Sequence, residues 1–314
     1  MSPSPHVLIF DRSLLRLRRR RAARSVPSTF LLENVARDLS DRLAAVLRGF
    51  DLAVDLGTPG NAVRRELTRT GRVGRVIAVD AFGGTLPGGA RADNAAGEGP
   101  IVAADEEMLP FRDGSLDLVV SALSLQFVND LPGTLIQIRR SLKPDGLLLA
   151  ALAGGDTLTE LRQSFALAEI ETKGGISPRV IPFLDVREAG ALLQRAGFAL
   201  PVADVERLTV RYASPIALMQ DLRAMGATNP MLERSRHLLR RRTLDRMTEI
   251  YADRFADSDK RIRATFEIIW LCGWAPDPSQ QKPLAPGSAR HRLADALGTR
   301  EMSAGEKPER RSID

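Results

Sequence analysis

The sequence predicts a doubly wound α/β domain on a mostly parallel sheet, and three observations predict it. Short apolar runs alternate with helical segments between Leu52 and Ala153, the pattern of βαβ units. The segments between those runs carry apolar residues at helical spacing. Each run also ends in polar residues: Asp55 and Gly57, then Asp80, Asp105 and Ser121. Sheets of this kind hold ligands beyond the carboxyl ends of their strands, where the strand order reverses.

Residues 29–48 are expected to form a helix, because Leu31, Val35, Leu39, Leu43 and Val46 share one face while Arg37, Asp41 and Arg48 lie elsewhere. Gly49 closes it. Leu52–Leu56 is the first strand, Asn61–Thr70 a helix stopped by Gly71, and Arg75–Asp80 the second strand. Residues 83–100 are rich in Gly, Ala and Pro and read as a flexible loop. A brief strand over Pro100–Ala104 follows, then strands at Leu116–Ser121 and Leu147–Ala153 separated by the helical Leu131–Leu142. The turn Lys143-Pro144-Asp145-Gly146 feeds the last of these.

Beyond residue 155 the pattern is mainly helical, through 156–172, 185–196, 214–225 and 231–255. The strand-like Val202–Val210 and Thr265–Trp274 interrupt it and are expected to complete the sheet as a hairpin, with the helices inserted as a lid. Residues 276–314, rich in Pro, Ser and charge, read as a disordered tail. The expected organisation is a basic helical segment over 1–49, the α/β domain over 50–275 with C-terminal helical insertions, and the tail over 276–314.

Composition narrows the function classes. A chain of 314 residues with 44% hydrophobic and 27% charged content can bury the core of a globular protein. Cys272 is the sole cysteine, which excludes an intramolecular disulfide and a four-thiolate zinc site and points to a reducing compartment. No stretch has the length of a transmembrane span. The formal charge of +6 owes much to Arg12, Arg16, Arg18, Arg19, Arg20, Arg21 and Arg24. Such a cluster can attract an acidic protein face or an anionic membrane, so peripheral membrane contact is one expectation. Its plain reading is a solvated helix face. No nucleic acid is expected, since aromatic residues are 5% of the chain and none interleaves with the arginines. The arginine-rich start also has the look of a transit peptide; Asp11 lies inside it, and the segment reads as untargeted.

The chemistry lies in the order strand, Asp55-Leu56-Gly57, helix, strand, Asp80. A glycine turn after the first strand lets a ligand approach backbone at a helix N-terminus. An acid ending the second strand can accept hydrogen bonds from both hydroxyls of a ribose, so the pattern points to a nucleoside cofactor. The bland alternative for Asp55 and Gly57 is an ordinary strand-to-helix turn.

Two further segments sharpen that reading. Asp105-Glu106-Glu107-Met108-Leu109-Pro110-Phe111 precedes Ser115-Leu116-Asp117-Leu118-Val119-Val120-Ser121, and Leu142-Lys143-Pro144-Asp145-Gly146 follows. This ordered set resembles the class I methyltransferases that bind S-adenosylmethionine. The resemblance implies that Asp80 holds the ribose, Asp105 caps the adenine amino group, Asp55 and Gly57 line the methionine portion, and Ser121 lies beside the transferable group. Phe10-Asp11-Arg12 with the arginine run, Gly154-Gly155-Asp156-Thr157-Leu158 with Glu160-Leu161-Arg162, Asp221–Asn229 and Gly273-Trp274 narrow it further. Over about residues 8–290 the chain resembles the respiratory complex I assembly factors of arginine-hydroxylase type, relatives of the biotin-pathway malonyl-carrier-protein methyltransferase. That resemblance implies a protein substrate, a complex I subunit. The segment before Phe10 suggests a bacterial member in the cytoplasm, with peripheral membrane contact at its inner face.

The sequence departs from the family's Asp-x-Gly-x-Gly-x-Gly loop. Pro59 and Asn61 replace two glycines in Asp55-Leu56-Gly57-Thr58-Pro59-Gly60-Asn61. Proline has no N–H and a fixed φ, while asparagine tolerates left-handed geometry. Reduced or lost cofactor affinity is the expectation.

Three functions remain open. Methyl transfer from a sulfonium releases a neutral leaving group and relies on positioning, so it needs no acid–base dyad. Asp156 and Glu160 could orient a basic acceptor, or simply cap and charge the next helix. Hydroxylation of a protein arginine is the family alternative. A non-haem iron oxygenase would offer two histidines and a carboxylate, yet the chain has only His6, His237 and His291, and no metal site is legible. A non-catalytic docking factor is the third.

Overall fold

The computed structural model describes residues 8–81, 99–281, 288 and 292–300. Its sheet is built from β1 (Phe50–Leu56), β2 (Val73–Val79), β3 (Ile101–Val102), β4 (Leu116–Ala122), β5 (Leu142–Ala153), β6 (Ala199–Tyr212) and β7 (Ile262–Trp274). Among the described residues the order is β3-β2-β1-β4-β5-β7-β6. The first five strands run parallel, and β7 is antiparallel to both β5 and β6. The order reverses between β1 and β4, so the carboxyl edge there is where a ligand cleft forms. The doubly wound, mostly parallel sheet is the architecture expected.

The two-residue period of the strands shows how both faces are covered. Along β4, Leu118 and Val120 pack with α2 (Phe30–Ala44) and α3 (Ala62–Arg69), while Val119 packs on the other face with α4 (Leu131–Ser141) and α6 (Val186–Arg195). Leu31, Val35, Leu39 and Leu43 of α2 are buried, as their spacing predicted. Each such leucine contributes roughly 1.5–3 kcal/mol on leaving water. On the same face lie α5 (Thr159–Lys173) and α8 (Arg241–Phe255), which bring Phe165, Met247 and Tyr251 to the core.

Several boundaries differ from expectation. The Lys143–Gly146 turn lies within β5, where Leu142 pairs with Leu116 but Leu147 with Leu118, so the intervening residues bulge. The helix expected over 231–255 begins at Arg241. The preceding backbone is committed elsewhere: Met231 bridges Phe10, Leu232 N–H donates to Ile9 O at 2.9 Å, and Pro230 O accepts from Asp11 N–H at 2.8 Å. β6 and β7 complete the sheet as expected, joined through α7 (Pro215–Ala224) and α8. Most of the loop expected at 83–100 lies outside the described residues, as do His6 and His291. By its contacts the chain divides into Met1–Asp277 and Pro278–Asp314. In the second unit, where disorder was expected, Leu293–Leu297 forms a short helix, α9, and much of the rest lies outside the described residues.

Candidate functional site

The carboxyl edge is organised by the turn after β1. Gly57 has φ +69°, a left-handed conformation that glycine adopts freely. A Cβ there would collide with Glu106 Oε1 and Ser124 Oγ. Thr58 ties the turn to two strands: its hydroxyl accepts from Ala122 N–H at 3.0 Å and donates to Asp55. Asp55 is 2% exposed, and its Oδ1 accepts no hydrogen bond from the protein. Burial pushes its carboxyl up to about 7, with Asp80 adding to the rise and the Thr58 hydrogen bond and Arg64 opposing it. Asp80 follows β2, anchored by its N–H to Val102 O at 3.0 Å.

The other two residues expected in the cofactor site are differently engaged. Ser121 is fully buried and donates to Leu56 O at 2.7 Å, a bond that clamps β4 to β1. It is not part of the cleft lining. Asp105 accepts from Arg12 Nη2 at 2.7 Å and Glu107 N–H at 3.0 Å through Oδ1, and from Arg16 through Oδ2. The implied adenine cap therefore coincides with a pair of ion pairs from the N-terminal helix, α1 (Arg12–Ala23).

That helix corrects the reading of the arginine run as a solvated face. Arg12 also pairs with the buried Glu106, and Arg18 donates to Thr228 O at 3.1 Å and to Asn229 O. Arg19 lies 5.4 Å over the Phe127 ring. Leu15 and Ala22 are buried on the same helix, so docking an apolar stripe turns these arginines towards the strand-end acids. Arg20, Arg21 and Arg24 stay exposed.

These elements enclose a cavity of about 590 Å³. Gly57, Thr58, Pro59, Gly60, Asp80 and Gln126 line one part, and Arg19 of α1 walls it. The remainder is an apolar chamber, with Leu158, Phe165, Ile181, Met219, Leu244 and Phe266 among its lining. Asp80 is the sole carboxylate among the described lining residues, against Arg19, Arg20, Arg179 and Arg223. Arg179 is neutralised by Glu169, whose side chain is wholly buried and also takes Lys173 and Ser177. These contacts hold the Glu169 carboxyl down at about 2 against the opposing effect of its burial, and they fix the loop that carries Val180 and Ile181 into the chamber.

Two lining leucines, Leu123 and Leu158, have φ of 52° and 55°, a conformation that costs a branched side chain about 1–2 kcal/mol. Strain of this kind collects at functional sites. Sequence reasoning missed it, as it missed Thr58, Arg19 and Gln126; Thr58 stood inside the recognised loop and was the nearest to legible. Asp156 pairs with Arg207 at 2.6 Å outside the chamber, and Glu160 accepts from Thr265 N–H and hydroxyl, so both do structural work. His237 is exposed. Among the described residues no three His, Cys, Asp or Glu side chains are grouped to hold a metal.

The cleft suits the nucleoside cofactor in two respects. Gly60, at φ +80°, has open space where a Cβ would lie, which leaves room for close approach. Gln126 Oε1 is a buried acceptor without a protein partner, placed in the lining where a ligand ammonium could donate to it.

The sheet and this cleft define a protein of the class I methyltransferase type. Residues 54–150 match the methyltransferase domain family. A candidate methyltransferase from Bacillus halodurans shares the fold at a TM-score of 0.53 and 17% identity, covering 76% of this chain and 99% of its own. The chain belongs to the family of the arginine-hydroxylase NDUFAF5: it is 38% identical to the mitochondrial protein of Danio rerio over 290 residues, 91% of this chain and 89% of that one. It is also 31% identical to the malonyl-[acyl-carrier protein] O-methyltransferase of Xylella fastidiosa over 276 residues, 85% of this chain and 89% of that one. The NDUFAF5 relatives of Danio rerio, Homo sapiens and Mus musculus are mitochondrial proteins. That overturns the cytoplasmic location expected from the segment before Phe10.

Proposed function

We infer that this chain is an S-adenosylmethionine-dependent enzyme of the methyltransferase type, acting on a protein subunit in respiratory complex I assembly. The observation that carries the reading is one cavity bordered by Gly57–Gly60 and Asp80 and continuous with an apolar chamber. Asp80 would hold the ribose and the Gly57–Gly60 turn the methionine portion, with Gln126 Oε1 accepting from the ammonium. Bound there, S-adenosylmethionine supplies a methyl group on a sulfonium, and its departure leaves a neutral thioether. The protein's part is then to orient the acceptor and exclude water, which an apolar chamber does. The domain limits 1–49, 50–275 and 276–314 are kept with this reading. For contact with an anionic membrane, Arg20 and Arg21 of α1 and Arg24 just after it are left exposed.

Arginine hydroxylation is the second reading, favoured by the name of the relatives that span most of the chain. With Asp80 on the ribose, no other carboxylate among the described lining residues would face a guanidinium in the chamber. Calorimetry of the purified chain with S-adenosylmethionine tests the shared requirement. Saturable binding lost in Asp80→Ala supports it, and the absence of binding overturns it.

A further inference from the structure

Arg19 is the largely buried cation that α1 places in the cavity wall, held there by long contacts. Its side chain is 9% exposed, yet its nearest carboxylate, Glu106, is 4.0 Å away, at the outer limit of an ion pair. Its hydrogen bond to Leu123 O is long, at 3.5 Å. Its neighbours Arg12 and Arg16 make direct contacts with Glu106 and Asp105 and leave those acids occupied. A guanidinium has five N–H donors in a planar fork that matches a carboxylate. Desolvation dominates at Arg19 and lowers its pKa, with Arg12 adding to the fall and Glu106 and Asp80 opposing it. Within the protein Arg19 therefore has one long hydrogen bond and one carboxylate at the limit of pairing.

Its position gives the missing partner a chemistry. Arg19 contacts Leu123 at the end of β4 and Glu106, whose carboxylate lies against Gly57 on the β1 turn. Gly57, Pro59 and Asp80 line the same cavity as Arg19. In that lining Pro59 has no N–H to offer to an anion.

We propose that Arg19 receives the carboxylate of the cofactor's amino-acid portion. The helix-borne guanidinium replaces the backbone donors that the loop lacks, so the departure at Pro59 and Asn61 is matched by a residue distant in sequence. This rests on the reading of the cleft as the S-adenosylmethionine site. It also explains why α1 is clamped so firmly by Asp105 and Glu106: those pairs hold Arg19 at the turn.

The test compares two ligands by calorimetry on the full chain. S-adenosylhomocysteine carries the carboxylate; methylthioadenosine keeps the adenosine and thioether and lacks the amino-acid head. Arg19→Met, which retains packing over Phe127, is expected to weaken S-adenosylhomocysteine binding about 10- to 100-fold, the loss of one charge-assisted contact, and to leave methylthioadenosine binding unchanged. Arg19→Lys, with the charge but not the fork, should recover part of the difference. Equal weakening of both ligands, or of neither, overturns the proposal and leaves Arg19 a packing residue. If Arg19→Met lacks a native circular dichroism spectrum, the same two titrations on Arg19→Gln decide. Binding of methylthioadenosine to the unsubstituted chain tests the cleft alone, so failure there is a failure of the cofactor reading itself.

Discussion

Asp55 should make the protein less stable as the solution becomes neutral, and Asp55→Asn should remove that dependence. Burial raises its carboxyl from the ordinary 3.8 to about 7. In the unfolded chain the group ionises near 3.8, while in the folded chain it keeps its proton until about 7. Between those values the folded state binds more protons, so stability falls as pH rises, and above the folded value it levels off. At about 1.4 kcal/mol per pH unit the full effect is about 4 kcal/mol. Asparagine is isosteric with the neutral acid and carries no charge to desolvate. Urea unfolding of both proteins between about pH 5 and pH 8.5 reads the difference as a change in midpoint. The gap should widen in the variant's favour from about pH 5 towards pH 7, where the upper part of the effect falls, and stay constant above it. Glu169, whose pKa is held at about 2, contributes stability lost only below its ordinary 4.5, and so stays silent in this window. Parallel curves across the range would refute the argument that an ionised Asp55 lacks compensation.

Asp80→Ala should weaken S-adenosylmethionine binding by about 1.5–3 kcal/mol for each ribose hydrogen bond lost, with a native circular dichroism spectrum; unchanged affinity would show that the ribose is held elsewhere. Pro59→Gly with Asn61→Gly should tighten binding, since the loop regains an N–H and loses a side chain near the helix N-terminus. Equal or weaker calorimetric affinity would mean that the present loop already holds its ligand by its own means. Glu169→Gln should destabilise the protein by on the order of 3 kcal/mol, because Lys173 and Arg179 lose a shared buried carboxylate. It should also speed proteolysis between Gly174 and Arg179; unchanged cleavage would separate the loop from that anchor.

The strands and the glycine turn were legible because their signals are local. An apolar run ending in Asp55-Leu56-Gly57 states both a strand and the place where it stops, and the same holds for Val79 before Asp80. The facing side of α2 could be read from Leu31, Val35, Leu39 and Leu43 for the same reason. What was not legible depends on pairs far apart in sequence. Arg12 and Asp105 are 93 residues apart, Arg18 and Asn229 are 211, and no periodicity marks a residue for such a partner. The roles implied for Ser121 and Asp105 illustrate the same limit. Residue type and strand-end position can be read from the sequence, but the bond from Ser121 to Leu56 O and the ion pairs of Asp105 with the α1 arginines cannot.

The bridge between Phe10 and Met231 has a consequence for how the molecule is made. The segment that carries α1 is made before every group that seats it: Asp105 and Glu106, the Asn129 amide that takes the N–H of Ile9 and Phe10 at 2.8 Å, and the backbone of residues 228–232. Contacts of such long sequence separation close slowly, since loop entropy must be overcome before they form. A nascent chain therefore carries its arginine helix undocked through most of translation, with a strongly cationic stretch exposed to the ribosome and to chaperones. The wall of the cleft is thus assembled from segments 210 residues apart in sequence, and it can be seated only after residues 228–232 have been made.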